Sequence, residues 1–402
     1  MPTKILLVDD DPTMRTIPAL FLRKWGYDVV EATDGEEAFE ILCREPIGLV
    51  ISDWLMPRLT GPELCRRLRS QAADHYTYFI LCTSRGEKAD LIEGMEAGAD
   101  AFLVKPLSKE EMRVSVRAGE RVLDLERGLA ERNRELHGIN ANLQAAYARI
   151  EKDLKAAAWM QANLLPSPSP RILNVVSEWR FRPCGFVAGD IFNVFEVDTH
   201  RVGFYLLDVS GHGVPAAMLS VTLSMVLSPD SAHGTPLKRY NQARNAFDVL
   251  PPAEVVAELN RRFQGKDDQY FTMVYGLLDT VTGEIALTQA GHPNPILLRP
   301  GQPPEMLGDG GVPVGLLPEV DYETTFARMQ PGDRLLLYSD GIAECADPEG
   351  TPFGEPRLLD YLAENAAKPM GELLQGLETA GELWRAGQPF EDDVSMLFLE
   401  FR

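Results

Sequence analysis

Hydrophobic and polar positions divide the chain into three stretches with different periods. Over residues 1–106, short apolar runs alternate with amphipathic segments. KILLV (4–8), YDVVEA (27–32), LVIS (49–52), YFILC (78–82) and AFLV (101–104) predict strands. EEAFEILCR (36–44) and PELCRRLRS (62–70) predict helices between them. Strands that are apolar on both faces and separated by helices indicate a doubly wound parallel five-stranded sheet.

From Pro106 to Pro166 the period changes to seven, and no proline intervenes. Val122, Leu129, Leu136, Leu143, Ile150 and Ala157 form one row, partly supported by Leu125, Ile139 and Ala146 and interrupted by Arg132 and Asp153. This pattern predicts a helical coiled-coil linker over residues 121–163 and a homodimer through it. The alternative is one long helix packed on its own domains. The prolines of LLPSPSPRI (164–172) end the helix.

Beyond that point lie further strands, VGFYLLDV (202–209), FTMVYGLLD (271–279), DRLLLYS (333–339) and VSMLFLEF (394–401). They are mixed with the helical patterns PAAMLSVTLSMVL (215–227) and PAEVVAELNRRF (252–263). Residues 228–245 are polar and weakly patterned, and predict a flap or loop. The resulting division is 1–120, 121–163 and 164–402, with an α+β layered β-sandwich in the last part.

Composition narrows the function. The 402 residues carry a net charge of −21, which argues against a nucleic-acid partner. Five scattered cysteines without CxxC spacing fit reduced thiols and no zinc site. No apolar window approaches a membrane span, so the expected location is cytoplasmic.

The chemistry lies where apolar strands end in acids. Asp9 and Asp10 follow the first strand and Asp53 ends the third, while Thr83 and Lys105 end the fourth and fifth. Ligands of open parallel sheets bind at those carboxyl ends. Three converging carboxylates repel unless a cation sits among them, and oxygen ligands suit Mg2+. A hydroxyl and an ammonium beside them could receive the oxygens of a transferred phosphoryl group. In the C-terminal stretch VAGDIF presents Asp190, FYLLDVSGHG Asp208, LLLYSDGI Asp340, and FEDDVSM Asp392 and Asp393. Four strand ends delivering acids in this way could hold two hard divalent ions and a metal-activated water.

Residues 1–120 resemble the receiver domain of two-component response regulators, through the acidic pair in VDDD, DxxMPxxxG from Asp53 to Gly61, Thr83–Ser84 and Lys105–Pro106, with Phe102 at the aromatic switch position. The resemblance implies that Asp53 is phosphorylated by a sensor histidine kinase or phosphotransfer protein, with Mg2+ bound by Asp9, Asp10 and Asp53. Residues 160–402, through GDxx, DVSGHGxPAAM, AGHPNP, PGDRLLLYSDGIAE and DDVS, resemble the type 2C metal-dependent serine/threonine phosphatases, in particular their SpoIIE-like branch. That resemblance implies two Mn2+ or Mg2+ ions. Asp208 bridges them, the Val209 carbonyl is a further ligand, Asp190 and Asp340 stand on one side and Asp392 on the other. It also implies a phosphorylated anti-sigma factor antagonist as substrate. The family pattern GGDxxD reads AGDIFN here, with Ala188 and Asn193 in the altered positions. Asn193 supports a rival reading, a phosphatase-fold adaptor that binds without turnover. His212 and His292 are weaker candidates for general acids.

Overall fold

The computed structural model describes residues 3–71, 75–84, 88–167, 171–229, 235–264 and 269–402. The chain divides into two compact units, Met1–Ala146 and Tyr147–Arg402.

In the first unit the elements run β1 (Lys4–Val8), α1 (Pro12–Lys24), β2 (Asp28–Ala32), α2 (Gly35–Arg44), β3 (Leu49–Asp53), α3 (Gly61–Arg69), β4 (Tyr78–Thr83), α4 (Lys88–Glu96) and β5 (Ala101–Val104). The helix α5 (Lys109–Ala162) follows. All strand pairs are parallel, in the order β2-β1-β3-β4-β5. The strands are apolar on both faces because both are covered. Ile5, Leu7, Leu49, Ile51 and Ile80 pack against α1 and α5, while Leu6, Val50, Phe79 and Leu81 pack against α2 and α3. Gly61 opens α3 where a Cβ would stand 2.3 Å from the Asp53 carbonyl oxygen, so only glycine lets this turn close.

Helix α5 is one continuous element, but its first turns belong to the sheet. Met112, Val116 and Leu123 are buried against it, and Val122 packs partly on the same cluster. Val122 is therefore part of the receiver core in this structure, in contrast to its place in the predicted dimer seam. Further along, Leu125, Leu129, Leu136, Ile139, Leu143 and Ile150 are all exposed.

The second unit contains β6 (Arg171–Ile172), β7 (Val175–Arg182), β8 (Ile191–Glu196), β9 (Arg201–Val209), α6 (Val214–Val226), β10 (Lys238–Asn241), β11 (Ala246–Val249), α7 (Pro252–Phe263), β12 (Phe271–Asp279) and β13 (Glu284–Ala290). It continues with β14 (Ile296–Leu298), β15 (Glu305–Met306), β16 (Thr325–Arg328), β17 (Arg334–Tyr338), α8 (Asp340–Ala343), α9 (Gly354–Asn365), α10 (Met370–Trp384) and β18 (Val394–Phe401). Two antiparallel sheets form, β16-β13-β12-β9-β8 and β15-β14-β17-β18-β7-β6. Their facing sides share one core that includes Tyr205, Leu207, Leu335, Leu337, Leu397 and Leu399. Helices α6 and α7 pack on the first sheet, and α9 and α10 cover the outer face of the second through Leu358, Leu362, Leu373 and Leu377. The layered sandwich is thus helix, sheet, sheet, helix.

From within the predicted flap to just beyond its end the chain forms a hairpin, with Lys238 paired to Val249 and Asn241 to Ala246. Leu237 and Leu250 anchor its base in the core. Residues 230–234, with His233, and residues 168–170 of the proline segment lie outside the described residues.

Candidate functional site

Two acid clusters form, one in each unit. At the carboxyl end of the parallel sheet, Asp9, Asp10 and Asp53 each bring an oxygen within 4.8 Å of the others. Lys105 Nζ lies 2.9 Å from Asp9 Oδ2 and 2.8 Å from Asp53 Oδ1, so one ammonium holds two carboxylates. Asp9 Oδ1 also accepts the Asp11 amide at 3.0 Å. Burial pushes the Asp53 carboxyl above its ordinary range, and Lys105 partly offsets this. Burial alone would lower Lys105, but its hydrogen bonds to Asp53 and Asp9 raise it, so it stays charged. Thr83 is buried at the end of β4, and Phe102 packs inward beside α4, where a Cβ on Gly94 would meet its ring at 2.5 Å.

The second cluster lies at one end of the sandwich. Asp190 immediately precedes β8 and Asp208 sits near the end of β9, while Asp340 opens α8 after β17 and Asp392 precedes β18. The two sheets therefore deliver acids to one place. Ser339 links the second sheet's contributions. Its hydroxyl donates to the Asp393 carbonyl at 3.1 Å and accepts the Ser395 amide at 2.9 Å. Gly341 is fixed by the same junction, since a Cβ there would stand 2.1 Å from the Asp393 carbonyl.

Among the described residues, no lysine or arginine offsets these acids in the way Lys105 does in the first unit. Asp190 is raised well above its ordinary range by burial, then by Asp208 and Asp393. Asp208 is pushed up to about 8 by burial, then by Asp340, Asp392 and Asp393. Asp340 rises to about 6 through burial and then Asp392. Burial also raises Asp392. Among the described residues both oxygens of Asp190 are buried and make no well-formed hydrogen bond, while the Ser395 and Ser339 hydroxyls stand near enough to offset part of the rise. Buried carboxylate oxygens that neither protein hydrogen bonds nor a protein cation satisfies are what a hard divalent cation requires.

Three residues shape the cluster beyond the proposed ligands, and two of them, Cys184 and Gln161, did not stand out in the sequence. Asp393 is buried and acts as a backbone clamp, accepting the Cys184 amide on Oδ1 and the Gly189 amide on Oδ2, both at 2.7 Å. Cys184 brings its sulfur within 4.8 Å of oxygens of Asp392 and Asp393. Burial and Asp393 push its thiol up to about 12, so it stays protonated. Gln161, in the last turn of α5, is 3% exposed. Its amide donates to the Ala188 carbonyl at 2.7 Å and accepts the Ala188 amide at 3.0 Å, two residues from Asp190.

The remaining candidates fall outside the centre of the cluster. The side-chain oxygen of Asn193 accepts the amide of Val194 at 2.8 Å, and its strand position pairs with Tyr205. His212 is exposed and near enough to Asp392 to lower it. His292 is buried, with Nδ1 2.8 Å from Thr272 Oγ1, and burial depresses it to about 3. It is neutral at physiological pH and so has no proton to give as an imidazolium.

These shifts set a pH dependence for the protein kept free of divalent ions. A carboxyl whose folded pKa lies above its unfolded value adds stability below the unfolded value and loses it as pH rises through the folded one. Between about pH 4 and pH 8, Asp208 and Asp340 ionise in place and repel. The melting temperature with chelator should therefore fall by several degrees, on the order of 5 °C, between pH 5 and pH 8. The gain from added Mn2+ should grow over the same interval. Scanning calorimetry at three pH values checks this, and an equal Mn2+ gain at both ends would contradict it.

The response regulator receiver family matches residues 5–117, and the stage II sporulation protein E (SpoIIE) family matches residues 198–402, just over half the chain. A probable transcriptional regulator, ycf27, of Porphyridium aerugineum is 40% identical over 121 residues, which cover 30% of this chain and 49% of that protein. The phosphoserine phosphatase RsbP of Bacillus subtilis is 24% identical over 260 residues, covering 63% of this chain and 58% of RsbP. The chain thus spans about half the length of the curated relatives it matches. The solved SiaA-PP2C domain of Pseudomonas aeruginosa shares the fold, with a TM-score of 0.53 at 20% identity over 64% of this chain and 99% of that one. No helix among the described residues is long and apolar enough to cross a membrane. A receiver domain at the N-terminus is thus fused to a PP2C-like domain, and the chain belongs to the SpoIIE family.

Proposed function

We propose that the second unit is a metal-dependent phosphoserine/phosphothreonine protein phosphatase and that phosphorylation of Asp53 controls it. The observation that carries this reading is Asp190, with two buried oxygens that make no well-formed hydrogen bond and face a cluster of acids. Asp190, Asp208, Asp340, Asp392 and the Val209 carbonyl would hold two Mn2+ or Mg2+ ions, with Asp208 bridging. Such ions supply a hydroxide at neutral pH and neutralise the phosphoryl oxygens. In the receiver, Asp9, Asp10 and Asp53 would bind Mg2+, and a sensor histidine kinase or phosphotransfer protein would phosphorylate Asp53. Thr83 and Lys105 would hold the phosphoryl oxygens. The proposed substrate is a phosphorylated anti-sigma factor antagonist, and the proposed compartment is the cytoplasm. The non-catalytic adaptor reading rested on Asn193, whose side chain serves the β8 backbone.

Removing a bridging carboxylate leaves the ions without their shared ligand. Asp208→Asn should lower Mn2+-dependent hydrolysis of p-nitrophenyl phosphate on the order of a hundredfold or more. A near-normal rate in that variant would refute the two-metal reading. In parallel, Asp53→Ala should abolish Mg2+-dependent labelling by acetyl phosphate. Label that persists in Asp53→Ala would remove Asp53 from the role.

The exposed row Leu129, Leu136, Leu143 and Ile150 is proposed as the seam of a parallel homodimer. Each leucine buried there contributes roughly 1.5–3 kcal/mol, so the double change Leu136→Glu and Leu143→Glu should give monomers in sedimentation. Their phosphatase rate should no longer depend on the state of Asp53. Wild type that sediments as a monomer at micromolar concentration would exclude the seam. Regulation would then run within one chain, ending at Gln161, and Gln161→Ala should weaken Mn2+ activation in either case.

A further inference from the structure

We propose that the substrate carries a lysine or arginine close to its phosphorylated residue, seated in an acidic cavity beside the candidate metal centre. This rests on the phosphatase reading above. The cavity has a volume of about 690 Å3, and Asp340 forms part of its wall. Asp309, Glu344 and Glu355 line it as well, and no lysine or arginine does. None of these three acids enters a salt bridge among the described residues. Glu355 is steadied by the Tyr338 hydroxyl, which donates to Oε1 at 3.4 Å. Once ions neutralise Asp340, three uncompensated carboxylates still face the space next to the hydrolysed group.

The cavity walls are held in shape. Gln289 Nε2 donates to the His292 carbonyl at 3.1 Å and to Asn294 Oδ1 at 2.8 Å. Its Oε1 accepts the Gly310 amide at 3.3 Å, and the Gly291 amide donates to the Gly310 carbonyl at 2.8 Å. One buried amide therefore binds the two loops that form one side. His292, 2% exposed on the wall, has no partner at Nε2. Carboxylates without a cationic partner suit an ammonium or guanidinium donor and repel an acidic side chain.

The test uses the full-length chain with Mn2+ and two kinds of substrate. One is p-nitrophenyl phosphate. The other is a set of phosphoserine peptides that differ only in lysine, alanine or glutamate at each of the three positions on either side. Lysine at one or two positions should raise kcat/KM over alanine roughly three- to tenfold, and glutamate should lower it. The preference should shrink with added salt. Glu355→Gln with Asp309→Asn should bring it toward unity and leave p-nitrophenyl phosphate hydrolysis within about twofold, and Glu355→Lys should favour the glutamate peptides. Equal rates across the set, or peptides refused altogether while p-nitrophenyl phosphate is hydrolysed, would overturn the inference. Hydrolysis of neither substrate would instead overturn the phosphatase reading and this inference with it.

Discussion

Repulsion between carboxylates that strand ends force together is the interaction on which both units turn. A buried carboxylate is stable only when its charge is met. In the first unit a lysine meets part of it, with Lys105 within 2.9 Å of both Asp9 and Asp53. In the second unit no lysine or arginine among the described residues does, and burial with mutual repulsion drives Asp190, Asp208 and Asp340 upward together. The backbone nevertheless holds the acids in place. Asp393 fixes Cys184 and Gly189 from one side, and Ser339 ties β17 to β18 from the other. A fold that spends two buried polar clamps on keeping acids close has no gain from the cluster unless something positively charged enters it.

The parts of this arrangement that were legible in the sequence are those written in local pattern. Strands buried on both faces read as continuous apolar runs, and the acids at their ends read directly because they interrupt those runs, as Asp53 does after LVIS. The hairpin Lys238–Asn241 with Ala246–Val249 was not legible, since KRYN and AFDV are short and contain no buried residue, with no alternation to mark a strand. Val122 continues the heptad numerically, yet it packs on the receiver core because the first turns of α5 serve the parallel sheet. Asp393 read only as an acid beside Asp392, and it and Gln161 were hidden as clamps for another reason. Their roles are hydrogen bonds to backbone atoms distant in sequence, and nothing in their neighbours announces such a bond.

Gln161 matters because of the element that carries it. Helix α5 begins packed on the parallel sheet through Met112, Val116 and Leu123 and ends with Gln161 on both polar atoms of the Ala188 backbone. Ala188 lies two residues before Asp190, with Gly189 held by Asp393 between them. The peptide that presents Asp190 is thus gripped from two directions, one of them the end of that helix.

On the proposed reading, this placement determines what the receiver could control. Coupling between sites typically amounts to about 1–3 kcal/mol, too little to refold a sheet sandwich but enough to change how well four acids share two ions. A cluster whose carboxyls are already raised by burial and repulsion responds steeply to small displacements, because charge interactions in a buried site are weakly screened. On the same reading, loosening or tightening one backbone clamp near Asp190 would change cation affinity before anything else in the fold. On that reading, metal occupancy, more than substrate access, is the quantity that a helix whose Gln161 holds the Ala188 backbone would regulate.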